Sequence, residues 1–306
     1  MAGSINVGGG GLIISPEKGN RSTTAPGGKT PFLASDLPDE AYQLIADILL
    51  EQQGFHLEGY KTLCIKRRMA VRIRAAGCED TDSYLAFLEN SPREQEELLA
   101  ALSVHVSQFF RNPSVFRVLE AQLLPELLGL SRRAHSKLRI WSVGCANGEE
   151  PYSLALLCQN QQRRGDLLSI LGTDLSPEAL RRARRGSYPA ARLEEVPAEM
   201  RAEYFTRHGV EYQLCDRIRE QVQFFRHDIL SDPPFYRADL ILCRNLLIYF
   251  SREQQQRVVE ILAESLLPGG YLILGRAETL APACRGFFRC IDPAERIYQR
   301  ILSSEN

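Results

Sequence analysis

The sequence lacks the features that mark secreted, metal-binding or membrane-spanning proteins. Its eight cysteines include no CxxC pair, and no cysteine or histidine spacing suits zinc. No apolar segment follows a basic start at the N-terminus, and no apolar run approaches the roughly 20 residues that span a bilayer. We therefore expect a cytoplasmic protein with reduced cysteines, without a metal ion and without direct insertion into a membrane.

The chain also carries no large excess of positive or negative charge. The formal net charge is −1 over 306 residues, of which 25% are charged and 44% hydrophobic. This balance argues against nucleic acid as a partner, so a charge-driven partner must meet a local patch. The composition is that of a globular protein, and the length predicts two domains or one large domain with an appendage. We expect the protein to be a monomer.

The first third of the chain shows helical patterns and no strand pattern. Residues 1–35 are predicted to be a flexible tail, because their Gly-, Ser- and Thr-rich composition buries too little apolar surface to offset the entropy of ordering. Apolar residues at helical spacing, and a capping box that begins at Ser91, predict several helices beyond it. We expect an all-α domain over 36–112, followed by a linker helix over 113–136.

Beyond the linker, apolar strand segments alternate with helical patterns. Ser176 and Ser251 each stand as an N-cap in front of a helix. Such alternation predicts a doubly wound, Rossmann-like α/β domain over 137–306. Its last segment, RIYQRIL, predicts an edge strand.

The segment at about 187–226 interrupts this alternation. Its stretches GVEYQL and DRIREQ are short and alternating, which predicts a small inserted antiparallel β subdomain. We expect this insert to be an accessory unit outside the ligand site. The sequence shows no open strand edge with side-chain pockets, which a peptide needs in order to bind by strand addition.

A glycine turn and an acidic strand end point to an adenosine-containing ligand. Gly144 and Gly148 follow the first strand, and Glu149 and Glu150 come next. Glycines at such a turn let a ligand approach the backbone, while the two acids would repel a pyrophosphate and suit the amino group and sulfonium of S-adenosylmethionine. The acids would equally favour the helix dipole. Asp174, which ends the second strand, is placed to accept both ribose hydroxyls.

Polar residues also end the fourth strand and stand at the domain junction. Arg244 and Asn245 lie where open α/β sheets bind ligands, and Tyr249 can either pack or present its ring to the site. Arg111 stands at the junction, where it can anchor a carboxylate or form a structural ion pair. The DPPF motif at 232–235 is similar to that of methyltransferases acting on base amino groups, but it precedes the strand and is interpreted as a stiff loop.

One predicted helix, over residues 60–76, carries six basic residues and no acidic one. A charge run usually marks a solvated face, but six basic residues without an acid favour an acidic partner. The residues are Lys61, Lys66, Arg67, Arg68, Arg72 and Arg74.

Five stretches are specific enough to compare with a known family. They are SQFFR (107–111), GCANGEEPYS (144–153), LGTDLSPEAL (171–180), CRNLLIYF (243–250) and LLPGGYLILGRAE (266–278). Together they resemble the CheR family of chemoreceptor glutamate methyltransferases, in family order and over nearly all of the chain from residue 36. The resemblance implies the two domains and the insert described above. It also implies S-adenosylmethionine as cofactor, S-adenosylhomocysteine as product and the cytoplasmic domain of chemoreceptors as partner.

The resemblance further implies roles for individual residues. Arg111 and Tyr249 would act at the transfer site, and the basic helix would meet the receptor. The family commonly has asparagine in place of His105, threonine in place of Ser107, and serine or threonine in place of Asn147. With the glycine turn, the implied cofactor contacts are His105, Ser107, Arg111, Gly144, Glu150, Asp174, Asp228, Ile229, Arg244 and Asn245.

The chemistry agrees with this resemblance. Glutamate has a pKa of about 4.3 and is already a carboxylate near neutral pH, so methyl transfer to it needs no general base. The enzyme must align the reacting atoms and exclude water, and Arg111 is interpreted as a positioner because the charges cancel in the transition state. The alternatives are a non-catalytic S-adenosylmethionine-binding regulator and a methyltransferase for another protein, a small molecule or RNA. We expect an enzyme associated with receptor clusters that needs no peptide tether.

Overall fold

Four helices form the N-terminal part of the chain, as the sequence predicts. The computed structural model describes residues 32–55, 57–102 and 107–301, so the predictions for the tail before residue 32 and for His105 lie outside it. No helix within these ranges is long and apolar enough to cross a membrane. The apolar faces share one buried core. The helices are α1 (Asp39–Gln53), α2 (Thr62–Ala75), α3 (Thr81–Asn90) and α4 (Pro92–Leu102).

The predicted linker helix is interrupted and packs on the sheet. It consists of α5 (Pro113–Val118), a π-helical turn (Leu119–Leu123) and α6 (Leu124–Arg133). Pro125 explains the wide turn, because a proline has no N–H and its ring pushes away the carbonyl four residues earlier. The apolar side of the segment belongs to the same core cluster as the first strand of the sheet, so it forms part of a helical layer.

The remaining elements form two sheets with helices between their strands. In chain order they are β1 (Leu138–Val143), α7 (Glu149–Gln161), β2 (Leu168–Asp174), α8 (Pro177–Arg185), β3 (Ser187–Pro189), α9 (Ala198–Tyr204), β4 (Phe205–His208), β5 (Glu211–Leu214), α10 (Asp216–Arg219), β6 (Val222–Arg226), β7 (Ala238–Cys243), α11 (Arg252–Ser265), β8 (Leu266–Leu274), β9 (Phe288–Asp292) and β10 (Ile297–Arg300). Ser176 and Ser251 cap α8 and α11 as predicted, accepting from Ala179 N and Gln254 N.

The larger sheet has the order β6-β2-β1-β7-β8-β10-β9. Strands β6, β2, β1, β7 and β8 are parallel, and β10 runs antiparallel to both of its neighbours. After β1, the chain adds β2 and then β6 on one side of β1, and it then returns so that β7 lies on the other side. A reversal of this kind opens a crevice at the carboxyl ends of the strands, which is where such folds bind ligands.

Four details differ from the sequence-based predictions. The last strand, β10, lies between β8 and β9, so the prediction that it is an edge strand was wrong. The inserted sheet contains only β3, β5 and β4, because β6 pairs with β2 in the larger sheet. The DRIREQ stretch forms the short helix α10 instead of alternating strand structure. Among the described strands, β4 pairs with β5 alone, so the insert does have an open edge.

Candidate functional site

The residues predicted to bind a cofactor converge on the crevice of the large sheet. Gly144 follows β1, Asp174 ends β2, Asp228 follows β6 and Arg244 follows β7. Each comes from a different parallel strand, yet the strands are neighbours in the sheet. The topology therefore assembles a site from segments that are up to a hundred residues apart in sequence.

The glycine turn is held by Asp174. Its Oδ2 accepts the N–H of Ala146 at 2.9 Å and its Oδ1 accepts the N–H of Ser176 at 2.9 Å. Gly144 has φ +68°, a left-handed conformation that suits glycine. Since a carboxylate offers about four lone-pair positions, Asp174 retains acceptor capacity towards the cleft that it lines. The turn and the carboxylate therefore form one prearranged unit.

Arg244 and Glu150 form a buried ion pair at the centre of the site. Arg244 Nη1 lies 3.0 Å from Glu150 Oε2, and the two side chains are 3% and 14% exposed. Ser142 Oγ donates to the other Glu150 oxygen at 2.8 Å. Arg244 Nη2 donates to the Arg111 carbonyl at 2.7 Å and to Asn112 Oδ1 at 3.0 Å. Arg244 thus fixes the backbone that carries Arg111.

Left-handed backbone conformations cluster around this ion pair. Phe110, Asn112, Ala146 and Asn245 have φ values of 52°, 59°, 50° and 60°. Such conformations cost about 1–3 kcal/mol each and persist where the surroundings hold them. Phe110 and Asn112 flank Arg111, so the segment that presents Arg111 is constrained on both sides.

Glu278 is a structural part of the site that sequence reasoning did not single out. Its carboxylate is 4% exposed and accepts three backbone N–H groups, from Asn245 at 2.9 Å, Gly275 at 2.6 Å and Ile248 at 3.3 Å. Burial raises its pKa, against these hydrogen bonds, which lower it. A Cβ at Gly275 would lie 2.6 Å from Glu278 Oε2, which explains the glycine. Glu278 is the last residue of the LGRAE stretch, and this position is the sequence signal that could have identified it.

Two adjoining clefts share Gly144, Asn245 and Tyr249 in their walls. The first is also lined by Asp174, Asp228 and Ile229, and the second by Ser107, Arg111, Glu150 and Arg244. Every predicted cofactor or transfer residue within the described ranges therefore lines one cleft or both.

The helical part of the chain closes the first cleft, which sequence reasoning missed. The cleft that Asp174 lines is also lined by Phe55, Tyr60, Arg68 and Leu102. Burial raises the pKa of Tyr60, and the negative charges of Asp228 and Asp174 add to this effect. The ring of Tyr60 packs edge-on against Phe250 at 4.9 Å. The site is thus enclosed between two parts of the chain, which is a favoured position for a small-molecule site.

Most of the predicted receptor-binding residues have contacts within the fold. Lys66 Nζ lies 2.6 Å from Asp39, and Arg72 donates to the buried Glu94 at 2.8 Å. Arg68 donates to the carbonyl of Leu102 and lies 4.2 Å from the centre of the Tyr249 ring. Lys61 and Arg74 donate to the carbonyls of Ile248 and Phe32, and Arg67 is exposed.

These residues suit S-adenosylmethionine better than a pyrophosphate cofactor. Asp174 and Asp228 line the first cleft beside Gly144, where they would repel a pyrophosphate and accept a ribose, whereas the charge of Glu150 is paired with Arg244. The described residues contain no group of His, Cys, Asp and Glu that can hold a metal ion.

The family models that match this chain agree with an S-adenosylmethionine site. Residues 40–103 match the model of the CheR methyltransferase all-alpha domain, and residues 105–297 match that of the CheR methyltransferase SAM binding domain. A chemotaxis protein methyltransferase of Listeria monocytogenes is 36% identical over 80% of this chain and 92% of its own. An uncharacterized 104.1 kDa protein of Rhodobacter capsulatus is 33% identical over 86% of this chain, which spans only 28% of that protein. The glycopeptide N-methyltransferase MtfA, solved with S-adenosylmethionine, aligns over 45% of this chain and 43% of its own, with 15% identity and a TM-score of 0.30.

Proposed function

Because this chain belongs to the CheR methyltransferase family, whose fold and S-adenosylmethionine cofactor it shares, we propose that it esterifies glutamate side chains on bacterial chemoreceptors. It is an S-adenosylmethionine-dependent methyltransferase of chemotaxis, and the proposal concerns its acceptor. The observation that carries the proposal is the second cleft, where Arg111 stands beside Tyr249 and Asn245. We propose that the enzyme works in the cytoplasm at receptor clusters.

The residues of the second cleft can perform this reaction without a general base. When bound, S-adenosylmethionine supplies an electrophilic methyl group. A glutamate acceptor is already ionised, with a pKa of about 4.3, so the protein has only to orient it and exclude water. Arg111 orients the acceptor carboxylate, Arg244 fixes the Arg111 backbone, and Tyr249 forms the wall between the two clefts. Because Arg244 is paired with Glu150 and contacts only the backbone of Arg111, its charge does not pair with the reacting carboxylate.

Transfer of a labelled methyl group to receptor tests the acceptor. We expect the cytoplasmic domain of chemoreceptors from the same cell to become labelled, and the label to be released by mild base, as a methyl ester requires. A base-stable product would identify a different acceptor group, and cofactor binding without transfer to any receptor would favour a non-catalytic regulator.

Arg111→Ala is expected to lower the rate of this transfer by about 100-fold or more, because small errors in the position of the acceptor are costly. Arg117→Ala is the matched control, since Arg117 is exposed on α5, six residues further along, and lines neither cleft. Turnover is measured under saturating cofactor and compared with the wild type. Normal turnover in Arg111→Ala, or an equal loss in the control, would remove Arg111 from the transfer site.

A test of receptor docking through α2 has to leave the contacts between this helix and the rest of the fold unchanged. Arg67 is exposed, so Arg67→Glu is expected to raise the KM for receptor several-fold and to leave S-adenosylhomocysteine affinity unchanged. The effect should fade at high salt, because exposed charges are screened over about 10 Å at 0.1 M. Arg93→Glu, an exposed charge reversal on α4, is the control. If Arg67→Glu left the KM for receptor unchanged, α2 would present a solvated face and not a receptor-binding surface.

A further inference from the structure

One arginine of the inserted β subdomain binds the segment that leads to Arg111. Arg192 lies in the 3₁₀ turn Ala190–Leu193, which connects β3 to α9. Its Nη1 donates to the carbonyl of Ser107, and its own carbonyl accepts the N–H of Phe109 at 3.1 Å. Side chain and backbone of one residue thus bind two positions of the segment that leads to Arg111.

Two aromatic residues of the insert reinforce this contact. The Phe109 ring packs edge-on against Tyr188 at 4.9 Å and against Phe205 at 5.3 Å. The hydroxyl of Tyr188 also donates to the carbonyl of Asn147, inside the glycine turn, at 2.7 Å. The insert therefore contacts both chain segments between which the second cleft opens.

The electrostatics at this contact favour a cation there. Glu149, next to Gly148, is fully buried. Burial raises the pKa of its carboxyl group, and the positive charge of Arg192 is among the effects that oppose this rise. The charge of Arg192 therefore favours the ionised form of the Glu149 carboxyl group, while its guanidinium group also holds the segment that leads to Arg111.

We propose that Arg192 is a positioning residue for the cofactor site. It lines neither cleft and acts by holding residues 107–111 at a fixed distance from the turn 144–148. The left-handed conformations of Phe110 and Asn112 need such support, since they persist only where neighbouring groups hold them. Under this proposal the insert, none of whose residues lines either cleft, supports the cofactor site from outside.

Binding of S-adenosylhomocysteine to three variants tests this role. Arg192→Met keeps the aliphatic stem but removes the donor and the charge, and is expected to weaken binding about tenfold or more, which equals about 1.4 kcal/mol. Arg192→Lys should recover affinity to within about threefold of the wild type, because an ammonium group retains both properties. Arg201→Met, an exposed arginine of α9, should bind as the wild type does. Melting curves report whether each variant is folded.

Wild-type affinity in folded Arg192→Met would overturn the proposal, as would failure of Arg192→Lys to recover affinity. Hydrogen exchange on the wild-type chain gives a second measurement that does not depend on any variant folding. Addition of S-adenosylhomocysteine should protect peptides from 107–111 and 188–193 together, and protection of the first alone would contradict the proposal. Because this ligand needs no acceptor, the outcome is independent of whether the acceptor is a chemoreceptor glutamate.

Discussion

Replacing Arg244 by alanine is expected to lower the free energy of unfolding by about 3–5 kcal/mol and to abolish measurable cofactor binding. Removal of one partner of a buried ion pair leaves the other charge uncompensated, and that loss is of this size. In Arg244→Ala the carboxylate that loses its partner is that of Glu150, whose Oε2 lies 3.0 Å from Arg244 Nη1 in the native protein. The same change releases the Arg111 carbonyl and the Asn112 side chain. Chemical denaturation and calorimetric titration with S-adenosylhomocysteine measure the two effects.

An exposed ion pair provides the matched control for this variant. Arg276 lies 3.0 Å from Glu295 and donates to Ser114, but its side chain is 54% exposed. Arg276→Ala is expected to cost no more than about 1 kcal/mol and to leave cofactor affinity unchanged, because water screens such pairs. If Arg244→Ala were as stable as Arg276→Ala, the buried pair would not be an organising element of the site. A double variant with Glu150→Ala would measure the coupling between the two residues.

Asp174→Ala is expected to weaken S-adenosylhomocysteine binding roughly 10- to 150-fold. A hydrogen bond to a charged group contributes about 1.5–3 kcal/mol, which corresponds to this range for one lost bond to the ribose. The variant also removes the acceptor for the Ala146 N–H, so the glycine turn loses its support. Asp174→Asn separates the two effects, because an amide retains one acceptor oxygen. We expect its affinity to lie between those of the wild type and of the alanine variant.

Asp80 offers a control with similar local chemistry far from the cleft. Its side chain accepts the N–H of Ser83 at the start of α3, much as Asp174 accepts that of Ser176. Asp80→Ala is expected to lower the melting temperature slightly and to leave affinity unchanged. Equal affinity in Asp174→Ala and the wild type would refute the assignment of the ribose to this carboxylate.

Local sequence signals predicted the fold and much of the cleft. The caps at Ser176 and Ser251 and the glycine turn at Gly144 each depend on residues within a few positions of one another, so the pattern alone reveals them. The ends of β1, β2 and β7 could be placed at one site because parallel strands present their carboxyl ends at one edge, whereas Asp228 and Ile229 were implied only by the family resemblance.

Contacts between distant segments could not be predicted in this way. Arg192 binds a carbonyl 85 positions earlier, and Glu278 accepts an N–H from a residue 33 positions earlier. The basic residues of α2 show the same limit. Helical spacing places Arg68 and Arg72 on one stripe, but it does not reveal that Tyr249 and Glu94 lie against that stripe.

The small bridge between Tyr60 and Phe250 has a consequence for how the protein unfolds. The Lys61 N–H donates to the carbonyl of Tyr249 at 2.9 Å, and the Ser251 N–H donates to that of Gly59 at 2.7 Å, so the helical part is hydrogen-bonded to the loop after β7. A cofactor held between these two parts stabilises both, since a ligand adds its binding free energy to every region that must open to release it. The two parts should therefore melt in one cooperative transition, which shifts upwards as a whole when the cofactor is added.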